Sequence, residues 1–351
     1  MKLAVVKPDH IGDLILSSPA IGALATKVPD LTLFVASKTL KLARHLFPAV
    51  ELRTMDLPHL LKSGGAPDFP DLSGYDLVLF LLRDGVMTPE WARTCTRDFV
   101  MPEESHAHHQ SILDYSVASD VVRDYDMDAL FFRGRLHSVQ AKALAPPVKV
   151  GLSIGSGFFT NSWPLIRWIE TGRMLQREGR EIYVVGGPAE VSTADFLLRA
   201  LGLNRSHLII GGSDFETLFQ ELDRLDLVIA SDGGTAHLCS LSAPIISLFG
   251  SSPINRYAPF GRWNRIISLR LPCSPCCQYA RREANGCLSV ECMSEMDSAD
   301  VRIAMAHTMN ARPRSYSLDL GRGHALFVGL SHLDQTRKLA ERRLEAESCA
   351  L

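Results

Sequence analysis

The stretch Leu3-Ala4-Val5-Val6-Lys7-Pro8-Asp9-His10-Ile11-Gly12-Asp13-Leu14-Ile15-Leu16-Ser17-Ser18-Pro19-Ala20 decides the reading of the fold. Leu3 to Val6 is an unbroken apolar run, the pattern of a strand buried on both faces. A polar turn with Gly12 follows, and Leu14, Leu16, Ile21 and Leu24 then recur at helical spacing. In open α/β sheets, such strand–loop–helix units place their loops in the crevice at the carboxyl ends of the strands. Asp13 therefore falls in the first turn of a predicted helix. The helix dipole favours an ionised carboxylate there, which can accept a proton at neutral pH. Asp is also a common helix-start residue for purely structural reasons, and both readings stand at this point.

The bulk of the chain fits that unit. At 351 residues two domains are expected rather than one core. The 37 basic residues are balanced by 39 acidic ones, so no global basic field attracts nucleic acid. No apolar run approaches a bilayer span, and the amino terminus lacks the pattern of a signal peptide, so the expected location is the cytoplasm.

Working outward, Leu31–Ala36 and Tyr75–Leu81 read as further strands, with a helical pattern through Ala43 and Phe47 between them. Strands alternating with helices predict a parallel sheet. The pattern weakens from Arg83 to about Leu136, a region expected to select the acceptor of any reaction. Its His106, His108 and His109 beside Glu103 and Glu104 read either as metal ligands or as a polar surface loop. Ala143 to Pro147 reads as a linker.

Beyond the linker the alternation restarts with Val148–Ile154, running into Gly155-Ser156-Gly157. A helix from about Pro164 to Arg177 is predicted next, then strands at Ile182–Val185, Leu208–Ile210, Leu225–Ala230 and Pro244–Phe249. The expected domains are 1–145, 148–312 with a Cys-rich loop at 272–293, and a helical tail at 313–351. That tail carries Leu333, Leu339 and Leu344 among mixed charges.

Ser231-Asp232-Gly233-Gly234-Thr235-Ala236-His237-Leu238 repeats the logic of the first stretch. Gly233 and Gly234 let backbone approach a ligand, and unpaired N–H groups at a helix start suit a phosphate or diphosphate. Asp232 has the wrong charge for direct phosphate contact and is expected to orient the turn or to bind sugar hydroxyls. His237 is a candidate donor to the phosphate, and the turn at Gly155 is a second candidate cradle. A nicotinamide-dependent oxidoreductase is the enzyme rival, but Pro8, Asp9 and His10 stand where its glycine fingerprint would be.

Lys7, Ile11-Gly12-Asp13 and Pro19-Ala20, taken with Ser231–Leu238 and Phe249-Gly250-Ser251-Ser252-Pro253, resemble the family 9 glycosyltransferases, the ADP-heptose:lipopolysaccharide heptosyltransferases and their relatives. The resemblance runs from Met1 to about Val301. It implies a GT-B fold, with two Rossmann-like, doubly wound α/β domains facing across a cleft. It also implies an inverting mechanism needing no metal or other cofactor. The donor would be an ADP-heptose-like nucleotide-sugar bound by the carboxyl-terminal domain, and the acceptor a glycan or lipid-linked molecule. Work at the inner face of the cytoplasmic membrane would follow.

On that resemblance Asp13 is the general base, and Lys7, Gly12, Gly155, Asn161, Ser231, Asp232, Gly233, Gly234, Thr235 and His237 are the donor-binding set. One departure stands out. The family often has a basic residue two positions before Trp163-Pro164, where this chain has Asn161. An amide cannot neutralise a diphosphate, so Lys7, Arg167 or another cation would have to substitute. Otherwise the donor differs, or the chain is a non-catalytic sugar-nucleotide binding or assembly protein.

The chain has eight cysteines, several of them clustered. Cys273 and Cys276, then Cys287 and Cys292, have nearly the spacing of a tetrathiolate site, with Cys277 spare. They read either as ligands of a structural Zn²⁺ or iron, or as free thiols in a long loop.

Overall fold

In a computed structural model of the protein, the structure describes residues 1–56, 71–82, 136–211, 214–259, 261, 263–269, 271–276, 287, 289–307, 316–321 and 324–328, with single positions 93, 96, 99, 100, 114, 117, 118, 121 and 122. These fall into two compact units, one within Met1–Phe131 and one within Phe132–Ser331. The expected boundary at 145–148 lies later than the observed division.

The first unit runs β1 (Leu3–Lys7), α1 (Ile11–Lys27), β2 (Leu31–Val35), α2 (Leu40–Leu46), β3 (Glu51–Thr54), β4 (Leu77–Phe80) and β5 (Phe99–Val100). Its five strands pair in the order β3-β2-β1-β4-β5, all parallel. β1 and β2 are buried along their whole length, as an apolar run in a covered parallel sheet should be. Ala4, Val6, Phe34, Tyr75, Val78 and Phe80 pack one face of this sheet. α1 is buried from Gly12 through Ile21, and Pro19 within it removes the donor for the Ile15 carbonyl.

The second unit opens with α3 (Leu136–Leu144), β6 (Lys149–Ser153), α4 (Leu165–Arg177), β7 (Glu181–Gly186), α5 (Val191–Ala200), β8 (Leu208–Ile210) and α6 (Phe215–Leu222). It continues with β9 (Leu227–Ser231), α7 (Gly234–Ser240), β10 (Ile245–Phe249), α8 (Ile254–Tyr257), β11 (Arg265–Leu269), α9 (Glu291–Ser294), α10 (Ser298–Ala306), β12 (Tyr316–Gly321) and β13 (His324–Val328). Its eight strands run β12-β13-β11-β10-β9-β6-β7-β8. The six from β8 to β11 are parallel, in the Rossmann order that reverses between β6 and β9. Asp214 caps α6 by accepting from Glu216 and Thr217 N–H, and Asp297 with Asp300 forms a capping box on α10.

Two corrections follow. The helical tail expected at 313–351 is a strand pair over part of its length: β13 lies antiparallel on β11, and β12 on β13. The sequence there alternates as Tyr316-Ser317-Leu318-Asp319-Leu320, a period of two and not 3.6. Leu333, Leu339 and Leu344, which suggested the helix, lie outside the described residues, as do His106, His108, His109, Cys277 and nearly all of 84–135. Secondly, α3 runs into the segment read as a linker and belongs to the second unit.

Candidate active site

In the first unit the chain reverses its strand order at β1 and β4, and the β1–α1 loop sits at their carboxyl ends. Asp13 is in the first turn of α1 and is 5 % exposed. Lys7 ends β1 and is fully buried. Its Nζ donates to Leu81 O at 2.5 Å and pairs with Asp9 Oδ2 at 3.0 Å. Burial alone would lower the Lys7 pKa. The carboxylates of Asp9, Asp114 and Asp13 outweigh that and hold it above its ordinary 10.5. The Ser17 hydroxyl lies 2.6 Å from Asp114 Oδ2 and 2.9 Å from Asp13 O, tying α1 to Asp114. The ammonium is thus paired with Asp9, and the carboxylates of Asp114 and of Asp13, at the helix start, further favour its charged form.

In the second unit the reversal between β6 and β9 brings two glycine loops together. Thr235 Oγ1 donates to Gly155 O at 3.3 Å, and Ser156 Oγ to Asp232 O at 3.3 Å. A Cβ on Gly233 would sit 3.3 Å from Gly155 O and 3.4 Å from Ser156 Cα. Both neighbours are backbone, so any side chain here would press the two loops apart by a few tenths of an ångström.

The sequence-predicted residues divide into two layers here. Gly233, Gly234 and Thr235 reach the surface with Ser156, Gly157, Phe158 and Phe159, whereas Gly155, Asn161, Ser231, Asp232 and His237 are buried beneath. α7 has only seven residues, so the loop amides, more than any helix dipole, are the donors this surface offers.

Asn161 corrects its own assignment. Its Nδ2 donates to Asp232 Oδ2 and to Ser252 Oγ, each at 2.9 Å, and its Oδ1 accepts from Ser251 Oγ. Both amide hydrogens are committed, so Asn161 braces the loops after β6, β9 and β10 and has no donor left for a diphosphate. Neither substitute cation fits that role as placed. Lys7 is enclosed in the first unit, and Arg167 donates to Ser294 O and pairs with Glu170 at 3.1 Å. Trp163 fixes the loop from behind: its backbone N–H donates to Ser231 Oγ, its Nε1 donates to Met296 O, and its ring meets Trp168 edge-on at 4.9 Å.

Sequence reading missed Ser156, Ser251 and Ser252 in this network, and Asp9, Ser17 and Asp114 in the first unit. The serines follow directly on β6 and β10, and their place at strand carboxyl ends was the available signal. Asp114 carried none, because only the fold brings it to Ser17.

Cys292 is buried, and its pKa is pushed up to about 11 by that burial and by the nearby Cys276, Cys287 and Cys273. The thiols are thus neighbours, yet among the described residues no three His, Cys, Asp or Glu side chains converge as metal ligands. No described helix is long and apolar enough to cross a membrane.

Comparison with known proteins agrees with this architecture. The family model for Glycosyltransferase family 9 (heptosyltransferase) matches residues 116–286. No curated protein sequence matches the chain. Among solved structures, a family 9 glycosyl transferase from Veillonella parvula DSM 2008 superposes with a TM-score of 0.63 at 17 % identity, over 87 % of this chain and 96 % of that one. The E. coli heptosyltransferase WaaC with ADP gives 0.59 at 15 %, over 86 % and 98 %. The dodecameric iron-containing heptosyltransferase TibC with ADP-D-beta-D-heptose gives 0.54 at 13 %, over 87 % and 75 %. At these identities the likeness shows the GT-B fold, and the family match covers the middle of the chain. Over residues 116–286 the chain is similar to glycosyltransferase family 9 (heptosyltransferase), and its fold is that of the GT-B structures.

Proposed function

We propose that the chain is an inverting transferase that moves a sugar, with heptose the first candidate, from a nucleoside-diphosphate donor to a hydroxyl of a glycan or lipopolysaccharide-core acceptor. The observation that carries this reading is the closure of two glycine loops at the strand-order reversal of the second unit. They leave Gly233, Gly234 and Thr235 open above a braced, buried layer. An ADP-linked donor is favoured because WaaC and TibC were solved with ADP and an ADP-heptose.

In this mechanism Asp13 takes the proton from the acceptor hydroxyl as its oxygen attacks the anomeric carbon. The nucleoside diphosphate leaves from the opposite face of the sugar. Asp13 suits the task because it sits at a helix start, where its ionised form is favoured. Lys7 holds the surrounding carboxylates in place. Charge growing on the departing diphosphate is met by the loop amides, donors that are already aimed and need no reorganisation, while the Thr235 hydroxyl, donating to Gly155 O, holds the two loops together. Asp232 and Asn161 hold those donors in position. The acceptor chemistry places the work at the inner face of the cytoplasmic membrane, by peripheral contact.

The test is transfer from ADP-, UDP- and GDP-sugars, with binding of each nucleotide measured separately. Asp13→Asn is expected to lower transfer by about 10²–10⁴-fold while ADP binding stays unchanged. Equal transfer by the variant overturns the base assignment. The absence of a basic residue at Asn161 favours the one competing reading, a non-catalytic sugar-nucleotide binder. That reading wins if wild-type chain binds the donor but neither transfers nor hydrolyses it.

Cys273, Cys276, Cys287 and Cys292 are proposed to hold one structural Zn²⁺ or iron ion. The buried Cys292, whose thiol is influenced by the other three cysteines, supports it. Elemental analysis showing no bound metal, with all four thiols titrating freely, rejects it.

A further inference from the structure

Where the strands of the second unit's sheet begin, at the end away from the glycine loops, lies a cavity of about 430 Å³. Among the described residues Lys142, Arg180, Arg265 and Arg302 line it, together with the carboxylates of Glu178 and Asp226. Both carboxylates are committed. Asp226 Oδ2 accepts the backbone N–H groups of Val148 at 2.9 Å and Lys149 at 2.8 Å, and Glu178 pairs with Arg302 at 2.9 Å. Arg180 donates through Nη1 to Pro147 O, while its Nε is buried with no partner. Among the described residues no carboxylate pairs with its charge. Lys142 Nζ donates to Asp223 O at 2.8 Å and Ser242 O at 2.9 Å, and Arg265 Nε to His307 O at 2.6 Å.

We infer that this cavity is an anion site, and that its ligand presents a phosphate group, either on a small molecule or on a lipid headgroup. The volume is that of a small-molecule site. Cations outnumber carboxylates, and a buried guanidinium donor left unmet is costly unless something comes to it. Three guanidinium forks and an ammonium surround one space. A phosphate offers three terminal oxygens and up to two charges to such a set, whereas a carboxylate offers two oxygens and one charge. The ligand would tie α3, through Lys142, to the strand starts at Arg180 and Arg265. Nothing in the proposed transfer reaction uses these side chains.

The test titrates inorganic pyrophosphate into the full chain in the presence of saturating ADP, so that the glycine loops do not compete. Hydrogen–deuterium exchange reports where it binds. Saturable binding with protection over residues 142–149 and 178–182 is expected. Arg180→Gln should weaken it at least tenfold, and so should Arg302→Gln, a change at an exposed side chain that leaves the fold intact. ADP affinity should not change in either variant. Co-sedimentation with phosphatidylcholine vesicles, with and without phosphatidic acid, separates the sources. Phosphatidic-acid-dependent sedimentation lost in Arg180→Gln assigns the phosphate to a lipid, and pyrophosphate binding alone assigns it to a solute. The inference is overturned by absent binding in both arms, by undiminished affinity in both variants, by protection confined to 153–161 and 231–235, or by citrate binding as tightly as pyrophosphate.

Discussion

Lys7 shows how far a single side chain can depart from what its neighbours in sequence suggest. Its place beside Asp9 and Gly12 reads as a ligand contact, but the folded chain encloses it and sets its ammonium among Asp9, Asp13 and Asp114. Removing that charge takes the ion pair from the buried Asp9 carboxylate and a nearby positive charge from Asp13 and Asp114, a change that typically costs about 3–5 kcal/mol. Lys7→Met is expected to lower the stability of the first unit by that order in urea melts at pH 7. The pH dependence has a definite sign. The pKa of Lys7 is raised on folding, so its stabilisation is full below its ordinary 10.5 and fades as pH climbs through the elevated folded value. The gap between wild type and variant should therefore stay constant through neutral pH and narrow only in strong alkali. A gap that closes between pH 7 and 9 would refute this account. Asp13 was legible from its place in the first turn, because helix starts announce themselves locally. The three-carboxylate setting was not, since Asp114 is 101 positions away along the chain.

Among the elements, those with continuous apolar runs were readable at once: β1, β6, β9 and β10 all emerge close to where the run of Val, Ile and Leu predicts them. β3 was invisible, since Glu51, Arg53 and Thr54 are exposed and Glu51 pairs with Arg53 at 2.8 Å, the dress of a sheet-edge strand. The pair β12 and β13 was misread because leucines beyond it set a helical rhythm. The glycine loops were legible as loops, but their mutual approach depends on sheet order, which no local pattern contains. That approach yields a sharp expectation. Gly233→Ala places a methyl 3.3 Å from Gly155 O, so one loop must yield. ADP affinity should drop about tenfold, corresponding to about 1.4 kcal/mol, with little change in thermal midpoint. Calorimetry showing full affinity would remove these loops from the donor site.

For the whole molecule, the division into two units sorts the effects of mutation. Asp13 lies in the first unit and the glycine loops in the second, so on the proposed mechanism Asp13→Asn changes transfer at constant nucleotide affinity. Gly233→Ala does the reverse, raising the donor concentration needed for half-maximal rate. Steady-state kinetics on the two variants tests this partition, and a shared defect in both parameters would contradict it.

The brace at Asn161 also bears on how the protein is made. One amide joins segments that follow β6, β9 and β10, and its partners Asp232, Ser251 and Ser252 lie 71 to 91 positions downstream. A ribosome delivers these pieces in order, so the brace cannot close until residue 252 has cleared the exit tunnel. Until then Asn161 lacks the two serines that orient it. A nascent chain halted before that point would hold the parallel strands β6 to β9 and still lack the clasp that fixes the loops at their ends.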